Sequence, residues 1–314
     1  MITETQAREL DRRIGPGRVA RDVALAPFTT FRIGGPADFF VRARTADELV
    51  GAVAAARELE VPLFLLGLGA NILVGDRGFP GLVVRCEVGG IERLDERRIR
   101  VGSGIAIFPD LIVDTVREQL GGLHHYVGIP STVGGAIWQN LHFLSPPPER
   151  ERTCFIEEVV ESCELLAPDG QRRIASREEL RFGYDYSLLH ESGDIVLTTT
   201  FRLDPTPEDE LRFVMRENLK WRDERHPDLW LYPCAGSIFR KIEGIGAGRL
   251  IDQCGLKGHI VGAAQIFHRH ANIIVNLGGA TAADVRALIA LAQATVEREL
   301  GHQLVPEIGF IGEF

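Results

Sequence analysis

The stretch Gly128-Ile-Pro-Ser-Thr-Val-Gly-Gly-Ala-Ile-Trp-Gln-Asn140 constrains this chain more than any other part of it. Three glycines and a proline fall within thirteen residues, beside the apolar Tyr126, Val127, Ile137 and Trp138. Glycine permits backbone angles and close approaches that a Cβ forbids. Such a loop can press successive N–H groups against a bulky anion, as phosphate-binding turns and helix starts do. Ser131 and Thr132 add hydroxyl donors. A tight turn packed with small residues has the same composition. A second loop upstream favours a ligand: Pro62-Leu-Phe-Leu-Leu66 reads as a buried strand running into Gly67-Leu-Gly-Ala-Asn-Ile-Leu-Val-Gly75. Strand followed by glycine loop is the order in which phosphate sites are built. The GxGxxG of a dinucleotide Rossmann unit and the Gly-Lys-Ser/Thr of a P-loop are both missing, so neither fold is supported.

A chain of 314 residues exceeds one ordinary core, which implies two or three units. Lysine and arginine number 35 against 44 acidic residues, and 35 − 44 gives −9. That balance speaks against general nucleic-acid binding, while a local basic pocket for a phosphorylated ligand stays open. The five cysteines (Cys86, Cys154, Cys163, Cys234, Cys254) are scattered without CxxC spacing, as expected of reduced thiols in a cytoplasm. Met1 to Asp22 is polar and mixed in charge, and no apolar run approaches the roughly 20 residues of a membrane helix. The expectation is a soluble, cytoplasmic protein with no membrane and no nucleic-acid partner.

Punctuation along the chain sets the expected units. A helix over 3–13 is stopped by Gly15-Pro16-Gly17, and Thr45 caps a helix over 46–58. Short strands are expected over 81–106, a helix over 108–119, and strands near 154–166 and 194–203. Asp204-Pro-Thr-Pro207 is the clearest break and the expected linker. A charged helix over 207–225 then opens a new unit, with strands near 259–276 and a helix over 281–299. Thr281 and Asp284 form its capping box. Leu304 to Phe310 reads as a last strand.

Chemistry concentrates late in the chain. In Pro233-Cys-Ala-Gly-Ser-Ile-Phe-Arg-Lys241, small residues expose the Ser237 hydroxyl and two cations follow. No Gly-x-Ser-x-Gly elbow marks it as an esterase nucleophile, so Ser237 is a candidate proton donor. Cys234 has no base and reads as a small buried residue. If His268 to Asn276 is a strand, His268, His270, Asn272 and Asn276 share one face. Two histidines without a carboxylate or cysteine at ligand spacing make a weak zinc case, and hydrogen bonding to a polar ligand or backbone fits better. Glu307 stands alone among apolar residues, either at an edge or buried for a purpose.

In order, Thr30-Phe-Arg-Ile-Gly-Gly35, the two glycine loops, Gln139-Asn140, Phe182-Gly-Tyr184 and Ala235-Gly-Ser-Ile-Phe239 resemble the UDP-N-acetylenolpyruvoylglucosamine reductase family. Ala247-Gly-Arg-Leu-Ile-Asp-Gln-Cys-Gly-Leu-Lys-Gly258, His270-Ala-Asn-Ile-Ile-Val-Asn276, Ala280-Thr-Ala-Ala-Asp-Val285 and Glu307 continue the likeness over nearly the whole chain past residue 25. The resemblance implies an α+β chain: a two-part FAD-binding domain of the vanillyl-alcohol-oxidase (PCMH) type and a separate α+β substrate-binding domain. The implied units are 1–80 and 81–205 for FAD, 206–302 for substrate, and a 303–314 strand returning to the active site. It also implies that FAD sits on Gly34, Gly35, Gly67, Gly69, Ala70, Asn71, Gly128, Ser131, Thr132, Gly134, Gly135 and Asn140. NADPH would reduce the flavin, and hydride would pass to UDP-N-acetylglucosamine enolpyruvate in peptidoglycan precursor synthesis. Ser237 would protonate the other carbon, Glu307 would stabilise the enol-like intermediate, and Tyr184, Arg240, Lys241, His270 and Asn272 would bind substrate.

Two departures stand out. Asp185 occupies the place where the family usually has a catalytic arginine after tyrosine, a charge reversal beside an anionic substrate. Arg240 or Lys241 is the expected compensating cation. Leu141-His-Phe-Leu-Ser145 replaces the Gly-Ala-Tyr-Gly that often follows Gln-Asn. Two other readings stay open: a related FAD-dependent oxidase or dehydrogenase with a different substrate, and a non-catalytic binder of flavin or UDP-sugar. Retention of Ser237 and Glu307 argues against the non-catalytic reading.

Overall fold

The computed structural model describes residues 2–242 and 244–314. The first unit is a four-stranded sheet in the order Ala20–Ala24, Pro36–Ala43, Phe79–Cys86, Leu63–Leu66. Its first pair is antiparallel and the rest parallel. Strand Phe79–Cys86 is central and covered on both faces, which is why it carries the unbroken apolar run Leu82-Val83-Val84. Helices Glu4–Ile14 and Ala46–Glu58 cover one face. The latter starts where the Thr45 hydroxyl accepts from the Glu48 N–H.

The second unit is an antiparallel sheet ordered Arg172–Ser176, Val160–Leu166, Ile195–Arg202, Arg98–Gly102, Ile91–Arg93. Against it pack the helices Ile112–Arg117 and Val133–Gln139. The expected helix over 108–119 is shorter, because a residue before proline is driven out of helical angles. Phe108, before Pro109, is extended at φ −127° and ψ 135°, and the regular helix begins only at Ile112. The charged helix Glu208–Arg225 also belongs here, since Leu211, Met215, Leu219 and Trp221 pack into the second core. The sequence reading gave this helix to the substrate unit. Its mostly charged surface conceals which neighbour its short apolar stripe meets, and we place the boundary after it.

The third unit is an antiparallel sheet ordered Cys234–Ser237, Ile273–Asn276, Ala264–Ile266, Ile260–Val261, with helices Ala247–Gln253 and Ala282–Leu300. Thr281 and Asp284 make the expected capping box. Phe31, Ile33 and Leu73 of the first unit are buried in the same core. The chain end ties these units together. Val305 to Glu307 runs beside Ile238 to Arg240, with Arg240 N–H donating to Val305 O at 2.9 Å and Glu307 N–H to Ile238 O at 2.8 Å. Strand Gly309–Ile311 then pairs in parallel with Ile72–Val74.

Candidate active site

The two glycine loops meet, as a shared ligand requires, but they do different things. A Cβ on Gly67 would lie 2.8 Å from the Thr132 hydroxyl oxygen. In the second loop the N–H groups just after Thr132 are taken within the protein, while those of Gly128, Ser131 and Thr132 have no acceptor among the described residues. Val133, Gly134 and Ala136 donate to Ile105 O, Ser103 O and Thr132 O, and Gly135 donates to the Thr132 hydroxyl. Gly134 is glycine because a Cβ would press on Ser103 at 3.2 Å. Ser131 donates to Thr132 O. Asn140 is fully buried with φ 50°. Its amide donates to Gly183 O at 2.9 Å, and its carbonyl accepts from Glu157 N–H at 3.3 Å. Gly34 and Gly35 likewise serve packing: a Cβ on Gly35 would lie 2.2 Å from Asp76 O. Ser131 and Thr132 keep free backbone N–H groups, whereas Gly134 and Gly135 are committed to packing and to the helix start, a distinction that composition does not reveal.

The first loop is open along four successive residues. Among the described residues, the N–H groups of Gly67, Leu68, Gly69 and Ala70 have no acceptor in the protein. Gly69 has φ +63°, and a Cβ there would lie 2.6 Å from Phe28 O. A cavity of 280 Å³ beside it is lined by Phe28, Thr29, Thr30, Leu68, Arg85 and Trp230, among others. Arg85 Nε and Nη1 are buried without partners, and burial pulls the guanidinium pKa down. The nearby Glu87 carboxylate is already paired with Arg42. A buried cation beside unpaired N–H groups fits an anionic group such as a dinucleotide's diphosphate. Arg85 was not singled out in the sequence, where an arginine ending a strand looks like any surface residue.

A larger cavity of 470 Å³ gathers the late chemistry: Tyr184, Ser237, Lys241, His270, Asn272 and Glu307 all line it. Arg249, Lys257 and Arg269 join them, a basic lining within an acidic chain that sequence reading did not assign. Ser237 sits at the end of its strand, just after Gly236 at φ +75°, where pairing with the neighbouring strand becomes irregular. Burial raises the Glu307 pKa to about 8; the Asp185 charge adds to this and Arg240 opposes it. Glu307 is therefore a neutral acid at pH 7. Burial, with the Asp185 and Glu307 charges, raises Tyr184 to about 12, so its hydroxyl stays a donor. Cys234 is buried and pushed up to about 11, which leaves it inert.

Three expectations change. His268 to Asn272 is a turn and the strand starts at Ile273, so no shared strand face carries both histidines. The Asn272 side chain is spent on the backbone: it accepts from Phe239 N–H at 3.0 Å and donates to Phe239 O at 2.9 Å. Asn272→Ala should cost about 2–4 kcal/mol in urea unfolding, because two buried backbone groups lose their partners. A cost below about 1 kcal/mol would show that the clamp is dispensable. Finally, the group facing Asp185 is neither Arg240 nor Lys241 but His142, whose Nδ1 lies 3.6 Å from the carboxylate.

Residues 37–176 match the family described as FAD binding domain, and 227–311 match UDP-N-acetylenolpyruvoylglucosamine reductase, C-terminal domain. A two-part FAD-binding fold joined to a serine- and carboxyl-lined cavity defines a flavin-dependent oxidoreductase with a separate α+β substrate-binding domain. The chain is 34% identical to a UDP-N-acetylenolpyruvoylglucosamine reductase of Agathobacter rectalis, covering 100% of both chains. It is 39% identical to that of Moorella thermoacetica over 94% of each. The crystal structure of the enzyme from Thermus caldophilus superposes with a TM-score of 0.77 at 35% identity, covering 94% of this chain and 99% of that one. The chain belongs to the UDP-N-acetylenolpyruvoylglucosamine reductase family.

Proposed function

We propose that this protein reduces UDP-N-acetylglucosamine enolpyruvate to UDP-N-acetylmuramate, a step in peptidoglycan precursor synthesis, with NADPH as the reductant of its FAD. The observation that carries the reading is that Ser237 and Glu307, far apart in sequence, line one basic cavity. The Gly67 loop with Arg85 would hold FAD, whose chemistry there would be hydride donation to one carbon of the enolpyruvyl double bond. Ser237 gives its hydroxyl proton to the other carbon. Negative charge builds on the substrate's carboxylate as hydride arrives, and neutral Glu307 donates a hydrogen bond to it. Lys241, Arg249, Lys257 and Arg269 supply positive charge for the diphosphate and carboxylate. Tyr184 donates from the cavity rim. No helix among the described residues is long and apolar enough to cross a membrane, which agrees with a cytoplasmic site of action on a nucleotide sugar.

An anaerobic stopped-flow pair tests the reading. NADPH should bleach the yellow flavin, and UDP-N-acetylglucosamine enolpyruvate should then restore the colour. Bleaching without recovery would mean a different substrate. A colourless protein that FAD cannot reconstitute would end the flavoenzyme assignment of this site.

A further inference from the structure

Asp185 places a carboxylate next to Tyr184, which lines the cavity that, on the reading above, accepts an anionic substrate. A bare negative charge there opposes both binding and the growth of charge on the substrate. The side chain is 11% exposed and cannot swing out to water. Its backbone is held at φ 51° in a turn closed by Gly183 N–H to Tyr186 O at 2.9 Å and Tyr186 N–H to Gly183 O at 3.3 Å. Across from it stands His142, at the start of the strand His142–Leu144. That imidazole is fixed by the Tyr184 ring at 4.8 Å and the Phe155 ring at 5.3 Å. Asn140, two residues before His142, donates to Gly183 O, so one buried amide bolts the two segments together. The His142 Nδ1 and the Asp185 carboxylate meet at 3.6 Å.

We propose that His142 and Asp185 act as one unit, in which the protonated imidazole screens the Asp185 charge so that the cavity can bind its anionic substrate. The proposal rests on the substrate reading above. The charged groups facing the imidazole are Asp185 and, from the other side of the site, Lys241. Asp185 in turn acts on Glu307, Tyr184 and His190. Burial, aided by Lys241, outweighs Asp185 and holds the imidazole pKa of the free site below its ordinary value, so the proton arrives with the substrate. An anion entering the cavity adds to the pull of Asp185, so substrate binding takes up a proton. KM therefore rises with pH across the histidine range, and kcat changes far less.

The test uses flavin-loaded wild type, His142→Gln, Asp185→Asn and the double variant, with KM for the enolpyruvyl UDP-sugar measured from about pH 5 to 8. His142→Gln uncovers the carboxylate and should raise KM several-fold while flattening its pH dependence. Asp185→Asn removes the charge that needs screening. It should also flatten the profile, and added to His142→Gln it should bring KM back towards the wild-type value. A merely structural role predicts no such rescue and no change of pH slope. The proposal is overturned if His142→Gln leaves KM and its slope unaltered, or if Asp185→Asn fails to rescue it. Should His142→Gln lose its flavin, the wild-type and Asp185→Asn profiles decide: an unchanged slope in Asp185→Asn overturns the proposal. Failure of the substrate reading looks different, because wild type itself would then not be reoxidised.

Discussion

Ser237→Ala is expected to retain FAD and to be reduced by NADPH, yet to lose about 10²–10⁴ in the rate of reoxidation by the enolpyruvyl substrate. The separation follows from where the hydroxyl sits. Ser237 faces the basic cavity at the end of a strand, while the open glycine loop with Arg85 belongs to the first unit. Among the described residues, no protein group hydrogen-bonds the Ser237 hydroxyl, so nothing but substrate or solvent engages it. The backbone around it is held independently, by Ile238 N–H to Asn272 O at 2.8 Å and by the chain-end segment through Glu307 N–H to Ile238 O. Removing one oxygen should therefore leave the fold intact. Stopped-flow recovery of flavin colour measures the effect, and normal recovery would remove Ser237 from the proton-donor role.

Glu307→Gln should produce the second large effect, with a pH signature on both activity and stability. A carboxyl raised from 4.5 to about 8 is protonated at neutral pH, and the activity that depends on it should fall as pH rises through about 8. In the glutamine variant turnover should drop about 10²–10⁴-fold, because the amide still donates a hydrogen bond but is far too weak an acid to share its proton with the developing charge. The steep alkaline limb assigned to this group should vanish. For stability, the folded state holds a proton between 4.5 and about 8 that the unfolded state has released, so wild-type stability falls as pH rises across that window. Glutamine carries no such penalty. The variant should be the more stable partner at and above pH 8, with the gap closing as pH approaches 4.5. Thermal unfolding at the two ends of that window checks the sign. A variant less stable at pH 8 would mean that the wild-type carboxyl is not held protonated.

Much of this was legible from residues alone. Helix starts at Thr45 and Thr281 were readable because a cap is a local hydrogen bond between residues three apart. Ser237 and Glu307 stood out because a small-residue strand end and a lone carboxyl in apolar surroundings are local anomalies. The stop at Pro109 was also written in the sequence, although the helix reading passed over it. In the loop around Thr132 the letters do not tell which N–H groups stay free, since a glycine required for packing and one that frees a donor look alike.

By itself, then, the sequence determined the α+β class, the glycine loops, the family likeness and the candidate residues for the proposed proton chemistry. All of these depend on local pattern or on the order of motifs. Tertiary structure alone decided that Glu208–Arg225 packs on the second core, that the Gly67 loop keeps four successive N–H groups free, and that Asp185 faces His142. Each of those depends on which distant segment arrives to accept a hydrogen bond, bury a stripe or screen a charge. Such forces act over a few ångströms of space, whatever the separation along the chain.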